Sequence, residues 1–292
     1  MDETGERSLI QKDSLKFDLL RTLLERPVLF SPGEEVLFKD QDSMEIITSS
    51  SLTPKLTPAQ ELELAKANIK GLMANVSLPK DAKILHMGCG EGYYCLILRH
   101  LGYNVTGGDV KQKNINKAKD LAEKKGMVIN YTCGAYTKID YSNEFDFIFM
   151  TSAIFSTLTD VERKSLLLKV YEALKPNGIF AFDVTTREYR KTAICSNNWD
   201  FVDLGFWQGG QHLILKTGFD YPENDAYLEL SLVVDKSGKL QVFKSWYQDY
   251  SRTTISTLLE MHNFKTDKIY SDLTCTPYEE TSKYIGIISH KE

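Results

Sequence analysis

The stretch that decides the fold runs from residue 83 to residue 109 and reads Lys-Ile-Leu-His-Met-Gly-Cys-Gly-Glu-Gly-Tyr-Tyr-Cys-Leu-Ile-Leu-Arg-His-Leu-Gly-Tyr-Asn-Val-Thr-Gly-Gly-Asp. Its opening apolar run is short enough for a buried parallel strand. The backbone can then turn sharply and approach a ligand without Cβ clashes at Gly88, Gly90 and Gly92. A helix and a second strand follow, and that strand ends at Asp109. An acid about twenty residues after the first glycine can accept hydrogen bonds from both hydroxyls of a ribose.

The spacing of these glycines bears on which nucleotide-like cofactor would bind. Dinucleotide sites use G-x-G-x-x-G, whose last glycine allows close helix packing. This chain has G-x-G-x-G, and Tyr93 stands where the last glycine would be. A pyrophosphate needs an unobstructed helix N-terminus, whereas S-adenosylmethionine has no phosphate. The stretch therefore resembles the first motif of the class I S-adenosylmethionine-dependent methyltransferases, roughly Leu-Asp-Leu-Gly-Cys-Gly-x-Gly. The alternative is a glycine-rich turn in another α/β protein.

Composition limits the remaining classes of protein. The 292 residues suit one large α/β domain with an elaboration. A net charge of −5 gives no overall basic field for nucleic acid or an anionic membrane. Five cysteines without a C-x-x-C pair favour reduced thiols and disfavour zinc or a disulfide framework. The acidic N-terminus is unlike a signal peptide, and no apolar run is long enough to span a membrane. We therefore expect a cytoplasmic location.

The rest of the core follows the same alternation of strands and helices. Residues 1–56 are predicted to form an N-terminal helix, at 9–25, and an irregular arm. Residues 57–185 form the predicted cofactor-binding core, which begins with a helix capped by Thr57. Its later part, from Phe145 to Val184, resembles the later motifs of the same family. The resemblance therefore rests on several spaced motifs.

Two further segments complete the predicted architecture. Residues 186–250 contain alternating stretches that indicate about three antiparallel strands, and we interpret them as a lid, a substrate element or a dimer surface. Residues 251–292 are predicted to add a helix and a closing hairpin. The fold class is thus α/β: a doubly wound, seven-stranded, mostly parallel sheet with a C-terminal antiparallel hairpin, plus a small antiparallel β lid inserted after the fifth strand.

The resemblance implies a set of cofactor contacts at the carboxyl ends of the strands. S-adenosyl-L-methionine would lie against His86, Gly88, Cys89, Gly90, Gly92, Asp109, Val110, Ala135, Tyr136 and Thr151. Two of these depart from the family pattern, since His86 replaces the usual acid of the first motif and Ala135 stands where an acid is common. For Tyr136, packing on the adenine and simple surface exposure are both open. Cys89 is expected to be a small filler.

Methyl transfer requires little of the protein beyond positioning, because the cofactor supplies the activated methyl group. The sequence has no metal-ligand spacing, so no metal is expected. His212 is the best single candidate for a base, with a structural role as the alternative. Substrate contacts are predicted from the aromatic residues Trp207, Trp246 and Tyr247, which could instead form the lid core. For Asp272, a place on the substrate side and a capping role are both open.

The sequence therefore predicts a methyltransferase that acts on an oxygen or nitrogen of a small molecule and releases S-adenosyl-L-homocysteine. The alternative is a non-catalytic or regulatory protein that retains the fold. A nicotinamide-dependent oxidoreductase is disfavoured by the glycine spacing, and a nucleic-acid substrate by the acidic balance. A homodimer through the inserted sheet is possible in this scheme.

Overall fold

The computed structural model describes residues 8–11, 14–31, 56–192, 197–203 and 210–292. The chain divides into two compact units. Residues 54–192 and 248–292 form one, which we call the core unit. Residues 1–53 and 193–247 form the other, which we call the insert unit. The arm predicted at 27–56 lies largely outside the described residues.

The described elements alternate regularly through the core unit. The helices are α1 (Phe17–Leu23), α2 (Pro58–Asn75), α3 (Tyr93–His100), α4 (Gln112–Lys124), α5 (Asp160–Ala173), α6 (Arg187–Thr192) and α7 (Arg252–Glu260). The strands are β1 (Ile10–Gln11), β2 (Ser14–Leu15), β3 (Lys83–Met87), β4 (Asn104–Asp109), β5 (Asn130–Cys133), β6 (Phe145–Met150), β7 (Leu174–Thr185), β8 (Asn198–Val202), β9 (His212–Tyr221), β10 (Ala226–Asp235), β11 (Leu240–Gln248), β12 (Phe264–Tyr270) and β13 (Tyr284–Lys291).

The core unit is built on a seven-stranded sheet in the order β12-β13-β7-β6-β3-β4-β5. Strands β3 to β7 pair in parallel, while β13 is antiparallel to both β7 and β12. The predicted seven-stranded sheet with its closing hairpin is therefore confirmed. The strand order reverses between β3 and β6, and ligands of open α/β sheets bind at the carboxyl ends beside such a reversal.

Both faces of this sheet are covered, which explains the nearly continuous apolar character of its central strands. Alternate residues of β7 divide between the two layers: Phe180 and Phe182 join the cluster that includes α5 and α7, and Ala181 joins the cluster that includes α2, α3 and α4. Helix α2 begins as predicted, because Thr57 accepts the Gln60 amide and the Gln60 side chain accepts the Thr57 amide. No described helix is both long and apolar enough to cross a membrane.

The insert unit contains a four-stranded antiparallel sheet in the order β11-β10-β9-β8. The prediction of about three strands missed β8, an edge strand on which Trp199 and Phe201 are exposed. The predicted turn between the last two strands is present, with the Asp235 carboxylate accepting the amides of Ser237 and Lys239.

The predicted helix at 9–25 is wrong in its first half. Strands β1 and β2 form a short hairpin there, and α1 begins only at Phe17. The leucine stripe that suggested the helix is real in its second half. Leu19, Leu20 and Leu23 pack against the apolar cluster of the insert unit, which includes Leu230, Leu232 and Val242.

Candidate cofactor site

The turn between β3 and α3 has the backbone shape that its glycines predict. Gly88, Gly90 and Gly92 all have positive φ, at 81°, 53° and 88°, a region that residues with a Cβ rarely adopt. The amides of Gly88 and Cys89 both donate to the carbonyl of Gly108, which ties the turn to β4. A Cβ placed on Gly90 would meet no atom within 4 Å. The turn is therefore fixed from below and open above Gly90.

Asp109 is the second fixed point of the site. It is 4% exposed, and its carboxylate accepts the Gly90 amide at 2.9 Å through Oδ2. Its Oδ1 accepts the Lys111 amide at 2.9 Å and the Asn114 side-chain amide at 3.2 Å. An ionised carboxylate can accept about four hydrogen bonds, so capacity for a further donor remains. Asp109 thus orders the glycine turn as well as offering an acceptor to a ligand.

The turn after β5 lies beside Asp109, because the Gly134 amide donates to the Asp109 carbonyl at 3.0 Å. Gly134 has no atom within 4 Å of an ideal Cβ, and Ala135 is exposed. The predicted surface formed by Val110 and Ala135 is therefore accessible beside the acid. Backbone groups and small side chains form this part of the site.

Tyr136 takes neither of the two positions predicted for it. It is 7% exposed and belongs to the core cluster beneath the sheet end. Its phenol oxygen lies 3.2 Å from where a Cβ of Gly88 would be, and finds no hydrogen-bond partner among the described residues. Burial raises the pKa of this phenol. The ring supports the glycine turn from below and does not stack on the surface.

His86 is also placed beneath the site, and a direct cofactor contact by its ring is not what the structure shows. Its exposure is 0%, and the ring stacks on Phe149 with centroids 4.2 Å apart. Nε2 is 3.5 Å from the Thr151 hydroxyl, and Nδ1 is 3.9 Å from the Cys95 sulfur. The usual acid would be costly here, because this position is enclosed by aromatic rings. Thr151 is itself only 3% exposed.

Cys89 behaves as the predicted filler in the turn. It is 4% exposed, and its sulfur lies 3.0 Å from where a Cβ of Gly107 would be. A hydrogen bond with Cys95 and burial both raise the pKa of the Cys89 thiol. A thiol that resists ionisation is a poor nucleophile, so packing accounts for this residue.

Sequence reasoning missed Asp183, which stands near the carboxyl end of β7. Its Oδ1 accepts the Ala153 amide at 2.9 Å, and the side chain is partly exposed. Burial raises the pKa of Asp183 to about 7, against the opposing effect of backbone hydrogen bonds. An acid that ends the apolar run Ile179–Val184 was the signal that could have revealed it.

The catalytic and substrate residues predicted in the insert unit are mostly buried. His212 is 1% exposed, and its Nδ1 lies 2.7 Å from the Gly210 carbonyl, so the structure does not support a proton-accepting role. Trp246 is 9% exposed and contacts Phe30 and Tyr221. Tyr247 is 1% exposed. Trp207 lies outside the described residues.

Asp272 takes the capping role. Its carboxylate accepts the amide and hydroxyl of Thr274 and the amide of Thr276, which shapes its own loop. Over the described parts of the chain, no group of three or more His, Cys, Asp or Glu residues could hold a metal ion.

Comparison with known proteins agrees with this geometry. Residues 84–178 match a family model described as a methyltransferase domain. A ubiquinone biosynthesis O-methyltransferase from Bradyrhizobium diazoefficiens is 32% identical over 121 residues, which are 41% of this chain and 46% of that protein. The chain therefore spans about half the length of the curated relatives it matches.

Two solved structures share the fold at low identity. The CcbJ methyltransferase from Streptomyces caelestis is 16% identical with a TM-score of 0.58, covering 78% of this chain and 89% of that one. An S-adenosylmethionine-dependent methyltransferase from Clostridium acetobutylicum is 16% identical with a TM-score of 0.55, covering 78% and 98%. The resemblance predicted from the glycine turn and the later motifs is confirmed.

Proposed function

We propose that this chain, whose core unit carries a class I methyltransferase domain, transfers a methyl group from S-adenosyl-L-methionine to a small molecule. The observation that carries the proposal is the glycine turn itself. It is fixed by Gly108 and by the carboxylate of Asp109, and it is open above Gly90. An acid with a remaining acceptor position beside an open glycine turn suits a ribose that carries no phosphate.

The residues present fit this cofactor. Asp109 would accept the ribose hydroxyls, and the backbone from Gly88 to Gly92 would lie along the ribose and the methionine portion. Val110 and Ala135 would flank the adenine, where the exposed Gly134–Ala135 turn leaves space. His86 and Thr151 would support this surface from within. When bound, the cofactor supplies a methyl group on a positively charged sulfur, and the protein positions the acceptor and excludes water.

A small acceptor is favoured over a macromolecule. The net charge of −5 disfavours nucleic acid, and the curated relatives are named for a quinone pathway and for O-methylation. Hydroxyl-bearing aromatic compounds are therefore the first acceptors to test. A cytoplasmic location and a homodimer, the latter using the exposed edge of β8, belong to the same proposal.

Calorimetric titration with S-adenosylmethionine and S-adenosylhomocysteine tests the proposal. We expect wild-type protein to bind both, and Asp109→Asn to lose at least about tenfold in affinity, since a hydrogen bond to a charged group is worth about 1.5–3 kcal/mol. The matched control is Asp120→Asn, an exposed acid of α4, whose affinity should equal that of wild type. Failure of the wild-type protein to bind either compound refutes the proposal.

A further inference from the structure

We propose that the carboxylate of Asp183 takes the proton of the methyl acceptor, an inference that rests on the proposed function. The acceptor would then approach from the β6–β7 side of the strand reversal. Asp109 would hold the cofactor from the opposite side, on β4. The argument uses the position of Asp183, the turn it fixes and its charge environment.

The position of Asp183 follows from the sheet register. Strands β6 and β7 pair in parallel with Phe149 opposite Ala181, so two residues further along Asp183 reaches the level of Thr151. Thr151 follows β6, which directly neighbours the glycine-bearing strand β3. On its other side, Asp183 is paired with Gly286 of β13, which has no side chain. The carboxylate therefore stands near the reversal point and is partly exposed.

The turn after β6 is held in an unusual shape by this carboxylate. Ser152 and Ala153 both have positive φ, at 66° and 50°, although neither is glycine. The Ala153 amide donates to Asp183 Oδ1 at 2.9 Å. Residues held in sparsely populated backbone regions cluster at active sites and ligand clamps. The same carboxylate thus fixes the strained turn and remains partly exposed to solvent.

The charge environment leaves Asp183 able to exchange a proton near neutral pH. Burial raises its pKa to about 7, and the Asp272 carboxylate acts in the same direction. Tyr94 and Tyr284 are the other titratable groups that interact with it electrostatically. Among these neighbours none is a cation that would hold the carboxylate permanently ionised. A base is most effective when its pKa lies near the working pH.

The step balances as follows. The proton on the acceptor oxygen or nitrogen passes to a carboxylate oxygen of Asp183, and the lone pair on that acceptor atom forms the bond to the methyl carbon. The carbon–sulfur bond breaks with its electron pair remaining on sulfur, which becomes a neutral thioether. Because Asp183 is partly exposed, it can release the proton to water afterwards.

The test uses sinefungin, a cofactor analogue in which an ammonium-bearing carbon replaces the methylated sulfur. A carboxylate facing the acceptor side should bind this ammonium, whereas S-adenosylhomocysteine carries no charge there. We expect Asp183→Asn to weaken sinefungin by roughly tenfold or more and to leave S-adenosylhomocysteine within about threefold. The control is Asp146→Asn, which removes an acid at the other end of the neighbouring strand, where it pairs with Lys175.

A second measurement needs no variant. In wild-type protein, the preference for sinefungin over S-adenosylhomocysteine should increase between pH 5.5 and pH 8 as Asp183 ionises. Equal weakening of both compounds by Asp183→Asn, or a preference independent of pH, overturns the inference while leaving the proposed function intact. Absence of any S-adenosylhomocysteine binding by wild-type protein removes both.

Discussion

The buried ion pair between Asp249 and Arg190 gives the sharpest prediction about stability. Arg190 donates from Nε to Oδ2 at 3.1 Å and from Nη2 to Oδ1 at 3.0 Å. Thr185 adds a hydroxyl at 2.7 Å, and Arg187 approaches the same carboxylate at 3.5 Å. Asp249 and Arg190 are each only 1% exposed. Water therefore cannot replace either partner.

Asp249→Asn preserves the shape of the side chain and removes its charge. Two guanidinium groups would then share a site without a carboxylate, and one of them would be fully buried. Removing one partner of a buried pair costs about 3–5 kcal/mol, a large part of the roughly 5–15 kcal/mol that stabilises a typical domain. The matched control is Glu63→Gln, which breaks an exposed pair with Lys66 at 2.7 Å and should cost about 0–1 kcal/mol.

The assay separates the two units. Each of the three tryptophans, Trp199, Trp207 and Trp246, belongs to the insert unit, so fluorescence during urea unfolding reports on that unit. Six of the seven described helices belong to the core unit, so circular dichroism at helical wavelengths reports on the core. The variant should shift the helical transition to lower urea. A shift equivalent to less than about 1 kcal/mol would refute the reasoning.

The remaining predictions concern the glycine turn, the pH dependence of stability and a helix cap. Gly90→Ala should keep the fold and weaken cofactor binding, because its Cβ would enter open space, whereas Gly92→Ala should also lower the melting temperature, because its Cβ would lie 2.7 Å from the Tyr131 hydroxyl. A raised pKa means that folded Asp183 holds its proton more tightly than the unfolded chain does. Stability should therefore fall as pH rises from about 4 to 7, by at most about 1.4 kcal/mol per pH unit. Asp183→Asn should remove this slope in urea titrations at several pH values. Thr57→Ala, which breaks the capping box of α2, should cost about 1 kcal/mol in the same assay.

The sheet of the core unit was predictable because its signals are local and repeated. Each parallel strand is a short apolar run bounded by turn residues, and the Gly88–Gly92 turn admits few alternatives. The cap at Thr57 depends only on neighbouring residues and was equally readable. Asp109 could be assigned because its distance from the first glycine matches a known geometry.

The remaining errors have a common physical origin, which is that burial depends on the packed tertiary structure. Tyr136 and His86 lie in polar-looking positions of the sequence, yet the fold places both beneath the turn. Strand β8 was missed because an edge strand can leave Trp199 and Phe201 exposed. The first half of the helix predicted at 9–25 instead forms a hairpin, against which nothing in local periodicity argued. Asp183 was overlooked because its neighbours come from β6, β13 and the Asp272 loop.

The chain leaves the core unit and returns to it at one place. The segment before the excursion carries Arg190, and the segment after it carries Asp249, 3.0 Å away. The Tyr250 amide also donates to the Thr185 carbonyl at 2.8 Å. For the core unit, residues 193–247 are therefore a closed loop, and the entropy of closing a loop rises only slowly with its length. Sequence of very different length and shape could be exchanged at this junction while the glycine turn and Asp109 stay in place. A common catalytic core could in this way acquire new acceptors by replacing one continuous cassette.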